Sequence, residues 1–275
     1  MINITVRGHD FEEVDTIETL AKKAQANNIH SLQLALTKSF PDLVEKNTRL
    51  STGLGYKFKN TLQAHQVDVG ILSCYSNLIH PDSKEREKII ATFCDYLKNA
   101  RYFGAPMVAS ETGSVLPQMG FTEENFKEDV FQELIEVVKE LVACGEHYQT
   151  IVGIEPGTHH PLHTIEKTKR LLEAVPSDYL GIVYDSTNLI TADTYKDQVD
   201  MTEAVFKELG DKIVAFHLKD YLVEDHKIKP VPLGEGVIDY KKIIAIVEKY
   251  CPGCFVVLEQ TKDPYMKRAV EWLEG

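Results

Sequence analysis

Short, near-continuous apolar runs rich in Val and Ile alternate along the chain with longer stretches whose apolar residues recur every three or four positions. The runs at 2–6, 31–35, 67–73, 105–109, 151–154, 180–184, 213–216 and 255–258 read as strands covered on both faces, as in a parallel sheet. Between them, Ile89, Ile90, Phe93, Cys94, Leu97 and Ala100 keep helical spacing, as do Phe126, Val130, Leu134, Val138, Leu141 and Val142. Thr122-Glu123-Glu124-Asn125 is expected to supply the N-cap and first-turn acids of that second helix. Further helices are predicted at about 165–175, 202–209, 240–250 and 264–273, whereas Pro41, Gly53 and Gly55 interrupt the second unit. Eight strands in 275 residues give about 34 residues per βα unit, which suits a single closed (β/α)8 barrel spanning 1–275. An open doubly wound sheet would carry a Gly-x-Gly-x-x-Gly loop after an early strand, and the sequence has none.

Composition narrows the partners. The net charge of −12, from 42 acidic and 30 basic residues without a basic block, argues against nucleic acid. The absence of a run of about 18 apolar residues argues against a spanning helix. Met1–Arg7 lacks the features of a signal peptide, so a cytoplasmic location is the expectation. The five cysteines are scattered. Cys251-Pro252-Gly253-Cys254 has redox-motif spacing but follows a helix and precedes a strand, the reverse of the order that stabilises a thiolate, and reads as a turn.

The chemistry lies where the last four apolar runs end. They lead into Glu155, Asp185, His217 and Glu259 respectively. In a parallel barrel these positions converge on one mouth. Three carboxylates packed together need a cation or raised pKa values, and with one imidazole they suit a divalent ion: Mn²⁺ first, with Mg²⁺, Co²⁺ or Zn²⁺ as alternatives. Such an ion acidifies the proton beside a carbonyl and stabilises an enediolate. Glu155 and Glu259, three strands apart in a ring of eight, would then remove and return the proton.

The motifs Gly153-Ile154-Glu155-Pro156, Tyr184-Asp185-Ser186-Thr187-Asn188, Phe216-His217-Leu218-Lys219-Asp220, Leu233-Gly234-Glu235-Gly236 and Val257-Leu258-Glu259 resemble those of the xylose-isomerase-like barrel superfamily, in particular its sugar isomerase/epimerase branch. The resemblance covers essentially the whole chain. It implies that Glu155, Asp185, His217 and Glu259 are metal ligands, that the two glutamates form the acid/base pair, and that the protein is a homodimer acting on a sugar or sugar phosphate. Three substrate-binding positions of the epimerases differ here: Asn188 replaces a His, Pro161 a Glu and Val223 an Arg. The sugar therefore does not carry over, and His159, His160 and His163 are candidates to take over hydroxyl recognition. Endonuclease IV shares the Leu-Gly-Glu-Gly signature, but its Asp-x-His pair has no counterpart in 228–232.

Secondary candidates follow from position. Lys219, two residues after His217, points to the same side and would stabilise an enediolate oxygen or pair with a ligand acid. Glu111 ends the fourth strand, before Thr112-Gly113-Ser114. Glu235 is a candidate lid residue, and Arg7, His9, Tyr75 and His80 follow strand ends at the mouth. The expected activity is a metal-dependent isomerase or epimerase. Inosose dehydratase, hydroxypyruvate isomerase and a non-catalytic sugar-binding protein remain the alternatives.

Overall fold

In the computed structural model, which describes residues 1–46 and 49–274, eight parallel strands close into a barrel. They are β1 (Asn3–Arg7), β2 (Ser31–Leu34), β3 (Asp68–Ser73), β4 (Met107–Glu111), β5 (Ile151–Glu155), β6 (Leu180–Asp185), β7 (Ile213–Leu218) and β10 (Phe255–Leu258). Around the ring, β10 closes the barrel between β7 and β1. Each predicted strand is present, shifted at its ends by two residues or fewer. Helices α1 (Ile17–Ala26), α2 (Leu36–Ser39), α3 (Pro41–Lys46), α4 (Thr52–Gln63), α5 (Ser83–Phe103), α6 (Glu128–Tyr148), α7 (Ile165–Ala174), α8 (Gln198–Leu209), α9 (Tyr240–Tyr250) and α10 (Tyr265–Glu274) connect them. Among the described residues, no helix is long and apolar enough to cross a membrane.

Two local expectations are corrected, and one further element is added. Gly53 and Gly55 do not break the second unit: α4 runs through both, capped by the Ser51 hydroxyl. A side chain at Gly55 would lie 2.8 Å from Tyr102 Cβ, so glycine is what lets α4 approach α5 this closely. Thr122 does not cap α6: it caps a separate turn, Glu123–Phe126, and α6 begins at Glu128 without a side-chain cap. The stretch after β7 is an antiparallel hairpin, β8 (Asp220–Glu224) and β9 (Lys227–Val231). Its tight turn puts Asp225 and His226 at positive φ, a conformation usually signalled by Asn-Gly or Asp-Gly. Cys251-Pro252-Gly253-Cys254 forms a turn at the start of β10, with both cysteines free.

Two apolar layers position the mouth. The main core fills the space between barrel and helices, and a small separate cluster of Ile71, Met107, Ala109, Val183, Ala215 and Val257 plugs the barrel itself. Successive side chains on a strand alternate faces, so the residue two positions on from an inward one also points inward. Glu111 therefore stands above Ala109, Asp185 above Val183, His217 above Ala215 and Glu259 above Val257. Register makes neighbours of Glu111 and Glu155 on β4 and β5, and of Asp185 and His217 on β6 and β7.

Candidate metal centre and its mouth cavity

Oxygens of Glu155 and Asp185 and a nitrogen of His217 lie within 4.8 Å of one another, and all three residues are buried. His217 Nδ1 is 3.5 Å from Glu155 Oε2 and 3.4 Å from Glu259 Oε1. The two glutamates stand three strands apart, yet they reach the same imidazole nitrogen. Glu259 is held outside the triad by other partners: Arg7 at 3.1 Å and Lys219 at 3.0 Å. Arg7 is itself paired with buried Asp10 at 2.7 Å. Lys219 also reaches Asp185 Oδ2 at 2.6 Å, so it bridges two of the acids.

The remaining oxygens are aimed by neutral donors. Asp185 Oδ1 accepts the backbone N–H groups of Thr187 and Asn188. Glu155 accepts from Asn188 Nδ2 at 3.0 Å and from the Tyr75 hydroxyl at 2.5 Å. Asn188 and Tyr75 thus fix the Glu155 carboxylate, as supporting partners of metal ligands do.

The electrostatics fit a divalent cation. With Arg7 and Asp10 counted as a neutral pair, the carboxylates of Glu155, Asp185 and Glu259 face one ammonium, Lys219. With His217 neutral, as ligation of a metal requires, that leaves two negative charges in a nearly dry site. Burial would lower the His217 pKa, but Glu155 and Glu259 outweigh it and raise it to about 9. Burial likewise opposes the charged forms of Lys219 and Glu259. Asp185 and Glu259 nonetheless push Lys219 up, while His217, Lys219 and Arg7 hold Glu259 well below the usual carboxylate range. Both His217 nitrogens are buried without a hydrogen-bond partner. Buried polar atoms are rarely left so, and a ligand nitrogen facing carboxylates is what a metal site presents.

Glu155, alone of the triad, borders a cavity of about 440 Å³ lined also by Arg7, His9, Gln33, Ser73, Tyr75, Glu111, Asn188, Lys219 and Glu259. Glu111 lies on this wall, and burial followed by repulsion from Glu155 raises its pKa. His160 stands behind it, Nε2 3.9 Å from Glu111 Oε2 and Nδ1 2.8 Å from the Gly113 carbonyl. His159 and His163 do not reach the mouth: their rings pack on Phe121 and Phe126. Ser114 is not available to a ligand, since its hydroxyl bonds Gly120 and Asn125.

Glu235 stands away from the cavity in this structure: its exposed carboxylate pairs with Arg268 of α10, and it is not among the cavity's lining residues. The glycines around it serve Asp220, which accepts N–H bonds from Gly234, Gly236 and Ile238. A side chain at Gly236 would lie 2.2 Å from Asp220 Oδ1. The Leu-Gly-Glu-Gly signature is therefore a loop built around a buried aspartate. Asp10, Asp220 and Gln33 were not among the sequence candidates. They do not stand out in sequence, because Asp10 is one exposed-looking acid in Gly-His-Asp, and Gln33 lies inside an apolar run.

Comparisons with known proteins agree with the barrel fold. The chain is 27% identical over 236 residues to an inosose dehydratase of Glaesserella parasuis serovar 5 (strain SH0165), covering 76% of this chain and 76% of the relative. It shares its fold with a xylose isomerase-like barrel protein from Mycobacterium smegmatis solved in complex with magnesium (TM-score 0.75, 16% identity, 100% of this chain and 95% of that one). It also shares it with 3-keto-D-glucoside 4-epimerase from E. coli (TM-score 0.74, 12% identity, 100% and 99%). The model of one family, the xylose isomerase-like TIM barrel, matches residues 18–275, and the chain belongs to that family.

Proposed function

We propose that this protein is a divalent-metal-dependent enzyme that removes the proton beside the carbonyl of a hydroxylated ketone and returns it, as a sugar isomerase or epimerase. The observation that carries this reading is His217, with neither nitrogen hydrogen-bonded amid three carboxylates and a bridging ammonium. Glu155, Asp185, His217 and Glu259 would hold the ion. When bound, it supplies Lewis acidity to adjacent substrate oxygens. The protein's own groups do the rest. Glu155 and Glu259 serve as the proton-transferring pair, each aimed by fixed partners: Tyr75 and Asn188 for one, Arg7 and Lys219 for the other. Lys219 adds a buried positive charge beside the developing enediolate.

A second reading, dehydration, has specific support in the inosose dehydratase relative. It shares the first step, proton removal, and differs in losing a hydroxyl from the next carbon. Glu111, whose carboxyl is driven toward its neutral form, lies on the same wall to protonate that leaving group.

The test is proton exchange in D₂O. Mn²⁺-loaded protein is incubated with scyllo-inosose and a panel of ketoses, and proton spectra are recorded after chelation. Deuterium is expected beside the carbonyl of one substrate and is lost on metal removal and in Glu259→Gln. Return of the sugar or its epimer identifies an isomerase, and an unsaturated ketone identifies a dehydratase. Tight metal binding without exchange on any of these would refute both.

A further inference from the structure

At the end of the barrel opposite the metal centre, the turn between α9 and β10 brings two thiols together. The Cys254 N–H donates to the Cys251 carbonyl at 3.0 Å, and Gly253 takes a φ of 82°. Proline in second place and a left-handed glycine in third make this a type II turn, whose first and last Cα atoms lie within about 7 Å. A disulfide spans about 4.4–6.8 Å between Cα atoms, so the backbone already holds the pair at bridging distance. The turn is fixed from both sides. The Cys251 N–H closes α9 on the Val247 carbonyl at 2.8 Å. On the other side β1 grips it: the Gly253 N–H donates to Met1 and the Asn3 N–H to Cys254, each at 2.8 Å.

The two sulfurs differ in setting. Cys251 is half-buried, and the Pro252-Gly253 tip beside it is exposed with open space around Gly253, so a small reagent has a path to it. Cys254 is 3% exposed and belongs to the main core. Each sulfur makes one long contact to a carbonyl oxygen, Cys251 to Ile213 at 3.4 Å and Cys254 to Phe255 at 3.7 Å. A hydrogen bond between the two thiols holds the Cys251 pKa below its ordinary value and pushes that of Cys254 up. The carboxyl end of the α9 dipole works against a Cys251 anion, so the pair lacks the helix-end activation of a redox catalyst. Cys74, Cys94 and Cys144 are in a different position, since burial pushes the pKa of each up.

We propose that Cys251 and Cys254 form a reversible dithiol–disulfide couple, in which half-buried Cys251 reacts with a small organic disulfide and buried Cys254 resolves the adduct. The Cys251 thiolate attacks one sulfur of the reagent and expels the first organic thiolate, leaving a mixed disulfide. The Cys254 sulfur then attacks Cys251 Sγ, closes the internal bond and expels the second. The two protons shed by the cysteines end on the two released thiols, and the two electrons lost by the pair reduce the reagent. This site is distinct from the one proposed above. Phe255, next to Cys254, pairs with Asn3 at one end of β10, whereas Glu259 follows Leu258 at the other.

The test exposes reduced full-length protein to glutathione disulfide and maps the peptides by mass after an acid quench. In wild type the peptide carrying 251–254 is expected to lose two hydrogens and retain no glutathione, and dithiothreitol is expected to restore it. Cys254→Ala should keep one glutathione on Cys251, and Cys251→Ala should take up none at Cys254. Iodoacetamide labelling of reduced wild type checks the roles without a variant, and carries the test with the wild-type map should either variant fail to fold. Cys251 should be alkylated at least about 10-fold faster than Cys254, Cys74, Cys94 or Cys144. A glutathione adduct that persists on wild-type Cys251, or no change at 251–254, overturns the couple. Alkylation of Cys254 as fast as Cys251 overturns the assignment of attacking and resolving thiols.

Discussion

Around one ring of strand ends, the arc from β5 to β10 carries Glu155, Asp185, His217 and Glu259, while the arc from β1 to β3 carries Arg7, Gln33, Ser73 and Tyr75. Both arcs ring the mouth above the apolar plug; the first is buried throughout, whereas in the second Gln33 and Ser73 are buried and Arg7 and Tyr75 only partly so. They handle the cost of burial differently. In the first arc charge meets charge, and with His217 neutral two negative charges remain for a cation to balance. In the second, the cation Arg7 is already neutralised by Asp10, and what is left over is neutral hydrogen-bonding capacity. The comparison teaches a division of labour. On the proposed function, the charged arc would hold an ion and move protons, and Arg7 and Tyr75 of the other arc would fix its two glutamates.

The largest expected effect breaks the charged arc. Lys219→Met removes the only ammonium shared by Asp185 and Glu259 and leaves two buried carboxylates without it. Uncompensated buried charge of this kind costs about 3–5 kcal/mol, read as a lower urea midpoint in metal-free protein. Saturating Mg²⁺ or Mn²⁺ should recover much of that loss, and by linkage the variant should bind the ion more tightly than wild type. An equal loss with and without metal would mean that the ion does not balance this charge.

The pH response sharpens the other arc. His9 has a folded-state pKa of about 4, below its unfolded value near 6.5. A depressed folded pKa means that the unfolded chain takes up the proton first. The stability is fully present above about pH 6.5 and is lost as pH falls toward 4. Allowing for solvent screening of a half-buried ring, about 2 kcal/mol is at stake. The difference in unfolding free energy between wild type and His9→Gln should therefore change over that window and stay flat above it. A difference that is constant from pH 4 to 8 would show that His9 is not held neutral by its setting.

The contrast also explains what the sequence disclosed. Glu155, Asp185, His217 and Glu259 are legible because each is a polar residue interrupting an apolar run at its end, and period-two alternation then fixes where it points. The same logic located Lys219, though its partners, Asp185 and Glu259, had to come from the fold. The neutral arc leaves no such trace. Gln33 sits within a strand whose four residues are all buried, so it looks like a tolerated core polar residue. Arg7 meets Glu259 across 252 residues of sequence, a contact only barrel closure between β1 and β10 creates. Around Glu235 the flanking glycines mark a tight loop, and the reason for that loop, Asp220, lies 14 residues before Gly234 in the chain.

One side chain joins the two arcs. The Tyr75 hydroxyl donates to Glu155 and accepts from Gln33, so it ties a candidate metal ligand to the strand on the far side of the barrel. Tyr75→Phe should cost only about 1 kcal/mol of stability, since the ring keeps its packing and one hydrogen-bonded group is lost. Its functional signature should be wider than its thermodynamic one. Metal affinity should fall about 10-fold because Glu155 loses a donor that fixes it. Calorimetric metal titration, set beside the urea unfolding curve, reads the two effects separately. Unchanged metal affinity would show that Glu155 is fixed without Tyr75, and that the two arcs work without this link.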